Sequence, residues 1–88
     1  MKRLEGVLSV ISGIIIPVEW SEEGDITGIA LSTYDEEEYL ITNHEKIEEL
    51  IGFLRQEVEV TGNISAFDKK KSVFVLNFVP KYNSGLKN

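Results

Sequence analysis

The side chains best suited to ligand binding in this 88-residue chain are aromatic and cationic, and they cluster near predicted turns. The stretch "PVEWSEEGD" holds the only tryptophan, and "FDKKKS" holds a phenylalanine followed by three lysines. Aromatic rings stack on nucleobases and cations contact the phosphate backbone, which is how single-stranded nucleic acid is bound without sequence preference. The candidate binding residues are Trp20, Tyr34, Tyr39, Phe67, Lys69, Lys70 and Lys71.

The distribution of charge opposes that interpretation. Residues 1–68 carry four basic and fifteen acidic side chains, whereas residues 69–88 carry five lysines and no acid, for a net charge of −6. Binding to a polyanion depends on cations that neutralise phosphates. Acidic side chains surround Trp20 and fill residues 35–38, which favours docking on a basic protein instead.

Two partner classes therefore stay open, single-stranded DNA or RNA and a protein. The oligomeric state is also open, between a monomer and a homodimer formed through an exposed strand edge. The simplest alternative for the lysine triplet is a solvated turn. For Trp20 it is packing of the ring against the fold or against its own loop.

Catalysis has little support. The chain has no cysteine and one histidine, His44, at a predicted helix start, so a Cys–His pair is excluded. No nucleophile elbow, phosphate-binding loop or dinucleotide fingerprint occurs, and the acidic runs lack calcium-loop spacing. We predict a non-enzymatic protein with no cofactor and no metal site.

The composition predicts a soluble, cytoplasmic protein. The absence of cysteine suits a reducing compartment. Polar residues and glycines interrupt the first apolar run, and no small-residue cleavage site follows, so we expect neither a signal peptide nor a membrane span. Residues 1–80 are expected to form one domain, with 81–88 as a flexible tail.

Apolar periodicity predicts three strands in the first half of the chain. Residues 4–18 are rich in valine and isoleucine, and the internal Gly6 and Gly13 suggest a bend that lets one long strand serve two sheets. Pro17 is expected to mark its exit. Residues 25–34 alternate with period two, and residues 39–42 form a short return strand after an acidic turn.

One helix and two strands are predicted in the second half. Thr42 and Glu45 have capping-box spacing. The apolar stripe of the helix comprises Ile47, Leu50, Ile51 and Leu54. Residues 57–67 alternate cleanly, whereas residues 72–79 are apolar on both faces, so we expect that last strand to be covered on both sides, at least in part.

This order, three strands, a helix and two strands, resembles the OB-fold, a five-stranded Greek-key barrel. The residues that carry the resemblance are "GVLSVISGIII", "GDITGIALSTYDEEEYLIT" and "EVEVTGNIS"; the last is similar to the V-x-V-x-G-x-(V/I) pattern of anticodon-binding and single-strand-binding OB-folds. The chain resembles a small stand-alone bacterial member. The resemblance implies a ligand face on strands two and three, flanked by the loops that hold Trp20 and the lysines. Many relatives carry a glycine just after the helix, which "FLRQEV" lacks.

Overall fold

A computed structural model describes the backbone of residues 3–81 and the side chains of residues 6–81. It is mostly β, with one short helix, and confirms the predicted order of elements. The elements are β1 (Arg3–Trp20), β2 (Ile26–Ser32), β3 (Glu38–Ile41), α1 (His44–Leu50), a 3₁₀ turn (Ile51–Phe53), β4 (Glu57–Phe67) and β5 (Lys70–Pro80).

The five strands form one sheet that closes in a ring, in the order β1-β2-β3-β5-β4 and back to β1. The long β1 makes closure possible because it pairs with β4 over Arg3–Ile14 and with β2 over Ile14–Trp20. Gly13 lies where β1 changes partner, and a Cβ there would collide with the Ser32 carbonyl. The long strand is thus shared between two partner strands, but they belong to one closed sheet rather than to the two sheets expected.

Pro17 does not end β1, so that prediction is wrong. The strand continues to Trp20, with irregular register on either side of Glu19. Pro17 pairs with Ile29 of β2, whereas the β4 ladder has already ended at Ile14. A proline is tolerated in a strand whose other side needs no ladder hydrogen bond.

The core lies inside the ring and follows the alternation of the strands. On β4 the inward residues are Val58, Val60, Gly62 and Ile64, as the sequence predicts. The fully buried side chains are Ile15, Ile29, Leu31, Ile41, Leu50, Val58, Val60, Val73 and Val75.

The helix begins at His44 as predicted, but its cap and its end differ from the prediction. The residue before its first turn is Asn43, and no side chain caps its N-terminus, so the Thr42–Glu45 capping box does not form. The helix also stops at Leu50, and the 3₁₀ turn follows. Ile47 and Leu50 are buried, whereas Ile51 and Leu54 pack only partly against the core.

β5 has one open face, which corrects the expectation of cover on both sides. Phe74 and Leu76 point outward and are 47% and 46% exposed. A register shift opposite Thr61 and Gly62 then turns Phe78 inward. Its ring meets that of Phe53 edge-on, with centroids 5.5 Å apart.

The end of the described chain is tied to the sheet. The Lys81 N–H donates to the Glu57 carbonyl (2.9 Å), and its ammonium lies 3.5 Å from the Glu57 carboxylate. The rest of the predicted tail, residues 82–88, lies outside the described residues. Within residues 3–81, no helix has the length and apolar character needed to cross a bilayer.

Candidate functional site

A groove of about 370 Å³ runs over the outer face of β1, β2 and β3. Its floor is aliphatic and consists of Val18, Ala30 and Leu40, one residue from each strand. Ala30 and Leu40 are paired across the β2–β3 ladder. Successive strand residues point to opposite faces, so Ala30 points outward because its neighbours Ile29 and Leu31 point into the core.

Side chains of both charges line the groove around this floor. Lys69, Lys70 and Lys71 line one side, and Glu19 and Glu38 also line the groove. The lysines come from the tight β4–β5 turn, where Asp68 and Lys69 both have positive φ (55° and 72°). Such values are typical of a two-residue hairpin loop, whose geometry matches the twist of the strands it joins.

Lys71 is already paired within the protein. Its ammonium lies 2.8 Å from the Glu37 carboxylate, and that hydrogen bond is the main reason that the pKa of Lys71 is raised. Lys69 and Lys70 are exposed and form no ion pair with any residue that the structure describes. Two of the three lysines are therefore available to a ligand.

Glu19 reaches the groove because β2 has a glycine beside it. Glu19 and Gly28 are register partners, and a Cβ on Gly28 would fall 2.5 Å from the Glu19 Oε1 atom. The carboxylate thus lies across the bare backbone of Gly28. The small residues on the second face of β2 make room for this side chain.

Trp20 stands toward solvent at the end of β1. Its side chain is 56% exposed, and it is not among the groove-lining residues. The loop after it, residues 21–25, is compact because Ser21 organises it. The Ser21 Oγ accepts hydrogen bonds from the Glu23 and Asp25 amides (3.2 Å each), and Gly24 adopts a positive φ of 95°.

The two tyrosines border a second crevice. This crevice, about 380 Å³, lies between β1 and the β2–β3 loop and is lined by Val10, Ile11, Ser12, Thr33, Tyr34, Asp35 and Tyr39. Tyr34 is 72% exposed, and the Glu57 carboxylate near its hydroxyl raises the pKa of the phenol. Tyr39 instead packs partly against the core.

The predicted binding residues thus lie in several places. The lysines share the groove, Tyr34 and Tyr39 line the crevice, and Trp20 lies outside both. Phe67 is 47% exposed at the end of β4, opposite Lys70. Sequence reasoning missed the aliphatic floor. The pattern that could have indicated it is the series of small residues at alternate positions of β2, because small side chains let another molecule come close to the outer face of the strand.

No protein-family model, curated protein or solved structure matches the chain. The groove and the surfaces around it are therefore the features of the chain that bear on its function. The described residues include no group of three or more histidine or acidic side chains arranged to hold a metal ion.

Proposed function

We propose that this chain is a non-enzymatic binding module built on an OB-type barrel. Three features support the OB assignment: the strand order β1-β2-β3-β5-β4, the parallel pairing of β3 with β5, and a helix between β3 and β4. OB barrels bind ligands on the outer face of strands two and three. The groove lies on that face.

The ligand proposed for the groove is a short extended segment of a partner protein. The observation that carries this proposal is the combination of an aliphatic floor with lining side chains of both charges, Lys69 and Lys70 among the cations and Glu19 and Glu38 as the anions. A polypeptide can place an aliphatic side chain on Leu40 and carry both positive and negative groups to pair with the glutamates and lysines that line the groove. A phosphate backbone would meet Glu19 and Glu38 as like charges, at a cost in affinity.

Single-stranded nucleic acid is the second candidate, favoured by the exposure of Lys69, Lys70 and Trp20. The aliphatic composition of the groove floor argues against this candidate. OB-folds that bind single strands gain roughly 1–3 kcal/mol from each base stacked on an aromatic ring. Among the described residues that line the groove, none is aromatic.

A titration followed by amide NMR shifts separates the two ligands. One probe is a set of short peptides with a Glu-Leu-Lys or Lys-Leu-Glu centre, and the other is an oligothymidylate of about 12 nucleotides, a length that one OB-fold can cover. We expect the peptides to change the amide chemical shifts of Ala30, Leu40 and Lys70. Leu40→Lys should abolish these shifts because it places a charge on the floor.

Val79→Lys is the matched control, because Val79 is exposed, aliphatic and outside the groove. It should bind the peptides as the parent chain does. The second candidate replaces the first if oligothymidylate binds instead and its affinity falls with salt and in Lys69→Ala/Lys70→Ala. Absence of groove shifts with both probes contradicts the proposed function.

A further inference from the structure

One edge of β1 has no strand beside it. Over Arg3–Ile14 the strand pairs with β4 on one side, and β2 joins its other side only from Ile14 onward. No strand among residues 3–81 covers that second side over residues 6–12. The Gly6 N–H donates to Ser65 Oγ (3.4 Å) and the Val7 carbonyl accepts from the Ser9 hydroxyl (3.2 Å). The remaining N–H and C=O groups on that second side have no partner among the described residues and can pair with another chain.

Residues 6–12, "GVLSVIS", lack the features that usually protect an edge. They contain no charged residue and no proline, although the whole chain carries a net charge of −6. Leu8 and Val10 point away from the core and are 63% and 60% exposed. Natural edge strands commonly carry lysine, proline or a bulge against intermolecular pairing; here the bulge, between Leu4 and Val7, reaches only Gly6 at the start of the segment and leaves residues 7–12 regular.

We propose that two copies of the chain pair antiparallel along residues 6–12, about a two-fold axis at Ser9. In this register Leu8 lies opposite Val10 of the second copy, Val7 opposite Ile11, and Gly6 opposite Ser12. Every pair is uncharged. An acidic chain therefore meets its own copy along a segment where no like charges face each other, which makes a second copy the favoured occupant.

The surrounding surface accommodates a second strand. The crevice of about 380 Å³ beside Val10, Ile11 and Ser12 separates β1 from the β2–β3 loop. It leaves room for the end of the incoming strand. The product is a continuous six-stranded sheet, β5-β4-β1 from each copy. Leu8 and Val10 of both copies would form one aliphatic cluster on its outer face.

The contact is small, so the dimer is expected to be weak and reversible. Seven residues of strand extend over about 23 Å, and a sheet is about 10 Å thick, so the contact strip covers roughly 230 Å² per copy. Stable interfaces usually bury at least about 1,200 Å² of accessible surface in total. The dimer should therefore dissociate on dilution. This inference does not depend on what the groove binds.

Sedimentation velocity across about a hundredfold range of concentration tests it, since self-association follows mass action. We expect the parent chain to shift from monomer to dimer as concentration rises. Leu8→Lys/Val10→Lys should weaken the dimer at least about tenfold, because it places lysines opposite each other across the axis. Both positions are exposed, so the monomer should still fold.

The charge-swapped variant Leu8→Lys/Val10→Glu tests the register itself. The introduced lysine of each copy would face the introduced glutamate of the other, so dimerisation should exceed that of the double-lysine variant by at least about tenfold. Val79→Lys, an equally exposed aliphatic position on β5, should dimerise as the parent does. The inference is overturned if the parent stays monomeric, if the double-lysine variant dimerises equally well, or if the charge swap restores nothing.

Discussion

Two edges of the same sheet differ: the backbone of one is hydrogen-bonded by a side chain of the chain itself, whereas the other has no described strand beside it. Where β3 ends, the exposed side of β5 is completed by one side chain: the Val75 N–H donates to Asn43 Oδ1 (2.9 Å), and Asn43 Nδ2 donates to the Val75 carbonyl (2.7 Å). Asn43 is 7% exposed. Along residues 6–12 of β1, no strand or helix of the described chain takes the equivalent place.

The two edges are ends of one row across the sheet. Gly62 in the middle strand is the register partner of Ser9 on one side and of Val75 on the other. The row therefore runs from the open edge, through Gly62, to the closed edge at Asn43. Closure here depends on one amide side chain rather than on another strand. Whether an edge is open therefore depends on a few residues at that edge. Another chain could pair with the open edge without changing the strand order of the ring.

A third edge is closed by irregular backbone. Beyond the β4 ladder, the Ile15 N–H donates to the Gln56 carbonyl (3.2 Å), and the Arg55 N–H donates to the Ile15 carbonyl (2.7 Å). To make this contact, Arg55 adopts a φ of +67°. Arg55 follows the 3₁₀ turn in the stretch "FLRQEV", which has no glycine, so a non-glycine residue takes the left-handed conformation there.

The largest expected effect comes from opening the closed edge. Asn43→Ala leaves a buried N–H and a buried carbonyl of Val75 without partners, which should lower the free energy of unfolding by about 2–4 kcal/mol. Urea denaturation measures the loss. Thr42→Ala is the control, because its hydroxyl makes only a 3.4 Å contact with the Val73 carbonyl. An equal loss in both variants would contradict the role assigned to the amide.

The middle of the row should be the next most sensitive position. A Cβ on Gly62 would collide with the Phe74 carbonyl and the Val73 side chain. Gly62→Ala should therefore cost about 1–3 kcal/mol of unfolding free energy through overpacking. Gly52→Ala is the matched control, since nothing lies within 4 Å of a Cβ there. If thermal melts of the two variants coincide, the close packing of β4 against β5 at Gly62 is wrong.

The smallest effect is a gain in stability at the third edge. Arg55→Gly removes the steric cost of a left-handed non-glycine residue, and after the added freedom of the unfolded chain it should stabilise the protein by about 0.5–1 kcal/mol. The melting temperature should rise. Gln56→Gly, one residue later, should lower it. A lower melting temperature for Arg55→Gly would mean that its side chain contributes more than the backbone strain costs.

The strands could be predicted well because their signal is local. Residues 57–67 alternate without interruption, and β4 has those same bounds. The closure by Asn43 could not be predicted, because its partner Val75 lies 32 residues away in sequence. Capping preferences favoured Thr42 as the N-cap of the helix, whereas Asn43 holds that position and its side chain bonds β5 instead of capping the helix.

The candidate site was predictable only in part for a similar reason. The lysine turn is contiguous in sequence and could be recognised as a unit. The groove floor takes one residue from each of three strands, so it depends on register, which a single sequence does not fix. The ion pair between Lys71 and Glu37 joins two turns and likewise appears only in three dimensions.

The β5 edge is closed within the chain, and we propose that the β1 edge is open to a second copy. Amide hydrogen exchange at low and high protein concentration tests it most directly. We predict that the Val75 amide is protected at both concentrations, and that amides of residues 7–12 that point away from β4 become protected only at high concentration. Slow exchange of all those β1 amides in the dilute monomer would contradict an open edge. Fast exchange at both concentrations would contradict pairing with a second copy.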